Sequence, residues 1–205
     1  MYTPAQFYIE DLPAIHAAMR TTRLANLVTG GPGGLVATPL PMLLDAEEGE
    51  FGTLYAHVAR ANPQWRTGAG QEALVIFDGP DAYVSPSWYP SKQEHGKVVP
   101  TWNYVAVHAY GPAEFTEDPV QLLHLVTRLT ERHEGGRAQP WSVDDAPPRF
   151  IEAQLRGIVG VRLPITRLEG KQKLSQNRSP EDKAGVKAGL LQDATPMNQA
   201  VSHLV

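Results

Sequence analysis

The chain contains no cysteine, which removes disulfide frameworks, thiolate zinc sites and thiol catalysis from consideration and is compatible with a reducing compartment. No apolar run approaches the roughly 18 residues that a membrane helix needs. The opening stretch Met1–Pro13 has neither a basic leader nor an apolar run, so it does not read as a signal peptide and the expected location is cytoplasmic. The Asn177-Arg178-Ser179 triplet matches a glycosylation acceptor, but nothing else points to secretion. Excess positive charge is missing too. Eighteen basic against 22 acidic residues leave a net charge of −4, whereas DNA-binding domains usually carry a basic face that neutralises phosphates. Only the stretch 162–187 is locally basic, so direct DNA binding lacks electrostatic support. An anionic small ligand needs only a few well-placed cations and stays open.

What the chain does have is an ordinary globular composition, 42% hydrophobic and 20% charged over 205 residues, which suits one domain. A helix is expected from about Asp11 to Arg23, with Asp11 as N-cap, Pro13 in the first turn, and Leu12, Ile15 and Met19 on one face. Strand-like runs follow at 24–29 and 35–44, around a Gly30–Gly34 reversal. Further strands are expected at 51–58, at 73–77 continuing through 82–85, and at 101–115. Residues 86–100 hold three prolines and a glycine and read as loop. Asp118 opens a helix to about Glu134 with Leu122, Leu125, Val126 and Leu129 at helical spacing. A second helix covers 147–155, a strand 158–168, and a last helix opens at Ser179-Pro180 and runs to about Leu190. The segment 191–205 shows no periodicity and is expected to be a flexible tail. Six or seven strands clustered in sequence, with N-terminal, middle and C-terminal helices, argue for an antiparallel barrel in a mainly β, α+β fold.

The usual catalytic signatures fail. The Gly30–Gly34 cluster lacks the Lys-Ser/Thr of a phosphate loop and the spacing of a dinucleotide loop, and a hairpin turn explains it. The seven histidines show no helical ligand spacing and no accompanying carboxylates, so no metal is expected. No G-x-S-x-G elbow supports a hydrolase, and no catalytic residue can be named.

Three polar-aromatic stretches remain. In Tyr55–Trp65 a strand end and turn place His57, Arg60 and Asn62 near backbone N–H groups, as an anion cradle would, although taken alone a surface turn with a satisfied histidine explains them more simply. In 85–92 and 99–104, two tryptophans and two tyrosines offer flat faces with polar edges, for a planar heterocycle or for packing at a barrel end. In 171–178, Lys173, Ser175, Gln176, Asn177 and Arg178 are phosphate-compatible donors, or a solvated basic loop.

Together, Tyr83–Tyr89, Val99–Tyr104 and Lys173–Arg178 resemble the signature segments of the PaiB-type FMN-binding negative transcriptional regulators. Met1–Pro4, Phe7, Ala37–Pro41 and His57–Pro63 fit the same family, and the resemblance spans about residues 1–190. It implies an FMN-binding split β-barrel related to pyridoxine phosphate oxidases, acting as a homodimer with FMN at the subunit interface. By that analogy Thr38 and Pro39 run along the isoalloxazine, and His57, Arg60 and Asn62 lie near the phosphate. Trp102, Asn103, Lys173 and the Ser175–Arg178 stretch close the site. The family name implies a regulator. An FMN-dependent oxidoreductase, flavin reductase-like or pyridoxine phosphate oxidase-like, is the alternative, as is a binder of haem or another planar ligand. FMN carries its own redox chemistry, so a missing catalytic set does not count against it.

Overall fold

Local signals in the sequence start and stop most of the helices. In the computed structural model, which describes residues 1–193 and 195–205, the chain forms, in order, β1 (Tyr8–Ile9), α1 (Leu12–Thr21), β2 (Ala25–Thr29), β3 (Val36–Leu40), β4 (Leu43–Asp45), β5 (Thr53–Ala59) and α2 (Gln64–Thr67). Then follow β6 (Glu72–Val84), α3 (Ser91–His95), β7 (Thr101–Pro112), β8 (Glu114–Thr116), α4 (Pro119–Glu134), α5 (Pro148–Leu155), β9 (Ile158–Pro164), β10 (Arg167–Lys173), α6 (Pro180–Gln192) and α7 (Pro196–Ser202). The Asp11 carboxylate accepts from the Ala14 N–H at 3.0 Å and starts α1. Asp118 accepts from Val120 and Gln121 at 3.0 and 2.8 Å and starts α4, and Ser179 accepts from Asp182 at 3.2 Å to start α6. Each cap satisfies an N–H that the first helical turn leaves without a partner.

The described residues separate into two compact units. The first comprises Met1–Thr22, Phe77–His108 and Glu169–Val205. Its strands lie in the order β1-β10-β7-β6, with Tyr8 opposite Lys171 and Ile9 opposite Gly170 in antiparallel register. Gly170 allows α1 onto this sheet, since a Cβ there would lie 2.9 Å from Ile15 Cγ1. A core of Ala82, Val84, Tyr89, Leu174, Val186, Leu190 and Val201 joins β6 and the end of β10 to α6 and α7.

The second unit comprises Arg23–Ile76 and Ala109–Leu168. In it β3 pairs with β2, and β2 with the first half of β6, while a four-stranded sheet runs β4-β5-β9-β8. Along β5 the buried Leu54, Ala56 and Val58 alternate with the half-buried Tyr55 and His57, as the two-residue period of a strand requires. Tyr55 packs under α4 against Leu43, Leu125 and Leu129.

The expected α+β architecture is present, but with ten strands among the described residues. The run expected over 35–44 breaks at Pro41 into β3 and β4. The run over 101–115 breaks at Ala113, whose N–H turns to the Gln71 carbonyl at 3.0 Å. The run over 158–168 ends at Pro164; Ile165 then bonds Gly52 and Thr166 bonds Tyr110 before β10 begins. The loop over 86–100 contains a single turn at Pro86–Trp88 and α3. The segment expected to be a flexible tail contains the end of α6 and all of α7, with Val201 fully buried in the core; its Ala194 lies outside the described residues.

Candidate functional site

In the second unit the turn after β5 folds back onto β3. Asn62 donates through Nδ2 to Thr38 Oγ1 at 3.1 Å, and Thr38 donates to Gln64 Oε1 at 2.6 Å. The Gln64 backbone N–H donates to Asn62 Oδ1 at 3.0 Å, closing a ring of side-chain bonds. Gln64 is fully buried, and its Nε2 shares its two hydrogens among the carbonyls of Leu27 and Val36 at 3.0 and 3.2 Å and Thr29 Oγ1 at 3.1 Å. A buried amide with every polar atom satisfied is rigid. Thr38 and Asn62 remain half-exposed, and Pro39 beside them is exposed on β3.

Arg60 and His57, expected beside Asn62, are occupied differently. Arg60 Nε donates to the Arg156 carbonyl at 2.6 Å, and its guanidinium pairs with Glu117. His57 lies on the face of β5 toward a groove of about 300 Å³ lined by Val126, Thr130, Trp141, Phe150 and Ile158. Its buried Nδ1 has no hydrogen-bond partner, and burial pushes its pKa below the usual histidine value. The structure therefore joins Thr38 to Asn62, ties Arg60 to the end of α5, and turns His57 toward α4 and α5.

In the first unit the segments 101–104 and 173–178 meet. Asn103 is fully buried, and its amide exchanges hydrogen bonds with the Ser175 hydroxyl at 3.1 and 3.2 Å. Lys173 Nζ donates to the Trp102 carbonyl at 3.0 Å and to the Thr101 hydroxyl. Burial lowers the Lys173 pKa, and Lys171 and Arg178 add to that effect against Tyr104. Ser175 sits at φ 63°, a left-handed conformation uncommon for a residue with a Cβ. It turns the chain so that Gln176 folds back, accepting from the Leu174 N–H at 2.6 Å and donating to the Gln172 carbonyl at 2.7 Å. Trp102 is 52% exposed and Tyr83 47%, and their rings meet edge to face at 5.9 Å. Two large aromatic rings left half in water offer ready stacking area. Asn177 and Arg178 line a polar groove of about 580 Å³ with Ser91, His95 and Lys97, and the Arg178 guanidinium lies 4.6 Å over the Tyr89 ring.

These residues suit a flavin mononucleotide. A fixed hydroxyl–amide pair can hydrogen-bond a ring edge, exposed tryptophan and tyrosine can cover a ring face, and Lys173 and Arg178 can meet a phosphate. Among the described residues no group of three or more histidine, aspartate or glutamate side chains could hold a metal ion. No helix among them is long and apolar enough to cross a membrane. Three participants were missed in the sequence: Gln64, Thr101 and Tyr83. Gln64 stands within the Asn62-Pro63-Gln64 turn already singled out, and a polar residue there was its only signal.

Comparison with known proteins agrees with this reading. Residues 1–167 match a family model described as "Putative FMN-binding domain". The Bacillus subtilis "Protease synthase and sporulation protein PAI 2" is 34% identical over 100% of this chain and 96% of its own length. An uncharacterised Emericella nidulans protein, AN0679, is 30% identical over 95% of both chains. Among solved structures, the flavocytochrome Anf3 of Azotobacter vinelandii matches with TM-score 0.62 at 17% identity, over 87% of this chain and 75% of that one. The FAD and heme binding protein of Mycobacterium smegmatis matches with TM-score 0.61 at 18% identity, over 86% of this chain and 78% of that one. The shared fold is the split β-barrel.

Proposed function

The chain belongs to the FMN-binding domain family, and on that premise we propose that it works as a homodimer with FMN at the subunit interface. The observation that carries this reading is the meeting of segments 101–104 and 173–178, the two most distinctive motifs of the sequence, through the Asn103–Ser175 and Lys173–Trp102 bonds. In the second unit Thr38, Pro39 and Asn62 are the candidate flavin contacts; in the first they are Trp102, Lys173 and Arg178, whose segments the buried Asn103–Ser175 pair holds together. Gln176 serves by shaping the loop that presents Asn177 and Arg178. Arg60 reaches a phosphate only by releasing Glu117, and His57 has no part in the proposed site.

When bound, FMN supplies one- and two-electron redox chemistry that the side chains do not. The second unit offers Thr38 and Asn62 for a ring edge, and the first offers Trp102 as a stacking face and Lys173 and Arg178 as cations for a phosphate. Regulation, which the PaiB resemblance implies, fits contact with DNA through a partner better than direct binding, given a net charge of −4. A cytoplasmic location belongs to the same proposal.

The visible absorption spectrum of the purified protein tests the cofactor, repeated after adding FMN and removing what stays free. A retained flavin band is expected. A colourless protein that retains none of the added FMN refutes the reading.

A further inference from the structure

Hydrogen positions around Gln64 are fixed by the backbone. Its Nε2 faces two carbonyl oxygens, of Leu27 and Val36, and a carbonyl can only accept, so the amide cannot be flipped. Gln64 Oε1 must then accept, and the Thr38 hydroxyl 2.6 Å away must donate to it. With its single hydrogen committed, Thr38 Oγ1 can only accept from any other group. One of its two lone pairs is taken by Asn62 Nδ2 at 3.1 Å. Asn62 is fixed in the same way, because its Oδ1 accepts the Gln64 backbone N–H at 3.0 Å.

Facing a ligand the pair therefore has an acceptor left on Thr38 and one N–H left on Asn62, with a second lone pair on Asn62 Oδ1, side by side and half-exposed. A ligand edge that matches them carries an N–H next to a carbonyl. A phosphate does not match, since a dianion only accepts and would face the remaining lone pair of Thr38. The expected division, with Thr38 at the ring and Asn62 at the phosphate, is also harder to reconcile with two side chains 3.1 Å apart. Ring and phosphate stand at opposite ends of the ribityl chain, whereas the two side chains are in hydrogen-bond contact.

We propose that Thr38 and Asn62 together read the imide edge of the isoalloxazine, an N–H flanked by carbonyls, and that Gln64 is the positioning residue that sets the direction of the Thr38 hydroxyl. The inference rests on the flavin reading of this site. It assigns the phosphate to cations elsewhere, and it makes the site selective for ligands with a free imide N–H.

The test is equilibrium binding, followed by quenching of flavin fluorescence, of FMN, riboflavin and riboflavin methylated on the imide nitrogen. The proteins are wild type, Thr38→Val, Thr38→Ser and Asn62→Asp. Wild type is expected to prefer riboflavin over its methylated form by at least about tenfold, the worth of one buried hydrogen bond with its partner left unpaired. Thr38→Val abolishes that preference, Thr38→Ser keeps it, and both keep the wild-type ratio of FMN to riboflavin affinity. Asn62→Asp weakens FMN and riboflavin by the same factor.

Equal wild-type binding of riboflavin and its methylated form overturns the inference while leaving the flavin site intact. So does a Thr38→Val protein that keeps the preference. An Asn62→Asp protein in which FMN loses about tenfold more than riboflavin puts the phosphate at Asn62 and also overturns it. A wild type that binds none of the three flavins overturns the flavin reading itself, and this inference with it.

Discussion

Replacing Ser175 by alanine in flavin-free protein isolates the contact that joins the two motif segments of the first unit. Asn103 is fully buried, and the Ser175 hydroxyl serves both ends of its amide. The substitution leaves a buried donor and a buried acceptor without a partner, where one unsatisfied group costs about 1–3 kcal/mol. The left-handed φ of 63° burdens serine and alanine alike and cancels between them. A loss of about 2–3 kcal/mol is therefore expected for Ser175→Ala. Ser175→Gly loses the same hydrogen bonds but relieves roughly 1–2 kcal/mol of backbone strain, so it should be the more stable of the two. For a chain of 205 residues, 1 kcal/mol corresponds to about 2–4 °C in Tm. Calorimetry should show Ser175→Ala melting roughly 5–10 °C below wild type, with Ser175→Gly between them. Ser175→Ala adding little to Asn103→Ala in the double variant would confirm that the two act as one unit. A Tm for Ser175→Ala within about 1 °C of wild type, or a glycine variant below the alanine one, would refute the reasoning.

Three further outcomes follow from other parts of the fold. Val201→Ala should destabilise by roughly 1.5–3 kcal/mol in urea titration, because α7 seals the core around Leu174 and Leu190; a frayed C-terminus would show no change. Gly185→Ala gains about 1 kcal/mol of helix propensity, but its Cβ would lie 2.0 Å from the Trp88 carbonyl; a lower Tm is expected, and a higher one would mean that α6 does not seat that turn. His57 resists protonation through burial. Below the ordinary histidine pKa the unfolded chain takes up a proton that the folded chain does not, so stability falls on acidification from about pH 7.5 to 5.5, at up to roughly 1.4 kcal/mol per pH unit. His57→Phe should flatten that slope in urea midpoints measured across the same range, and equal slopes would count against a buried neutral imidazole.

The sequence made the helices legible wherever a capping side chain preceded an apolar stripe, as at Asp11, Asp118 and Ser179. The same rule read Thr195-Pro196 poorly. Thr195 caps α7 at 3.1 Å through the Asn198 N–H, but α7 is seven residues long and too short to show a period. Strand β10 was hidden for another reason: its buried positions include Gly170 and Lys171, on opposite faces, neither of which signals burial. Lys171 is held there by the Tyr2 carbonyl at 3.1 Å and by the Tyr104 ring at 5.1 Å, contacts with no trace in local sequence.

The site was legible as motif and illegible as geometry. Asn103, Ser175 and Lys173 were named from separate stretches, and the antiparallel sheet joins them. His57 lines the groove toward α4 and α5: a strand turns successive side chains to opposite faces, so closeness in sequence to Arg60 and Asn62 says little about closeness in space. Arg60 was placed in an anion cradle, whereas the guanidinium pairs with Glu117, 57 residues away.

Sedimentation velocity recorded both in the visible flavin band and at a protein wavelength tests the central claim most directly. The account predicts that added FMN sediments with the protein, at one flavin per chain and at the mass of a dimer. Flavin absorbance left behind at the meniscus while the protein sediments would contradict it.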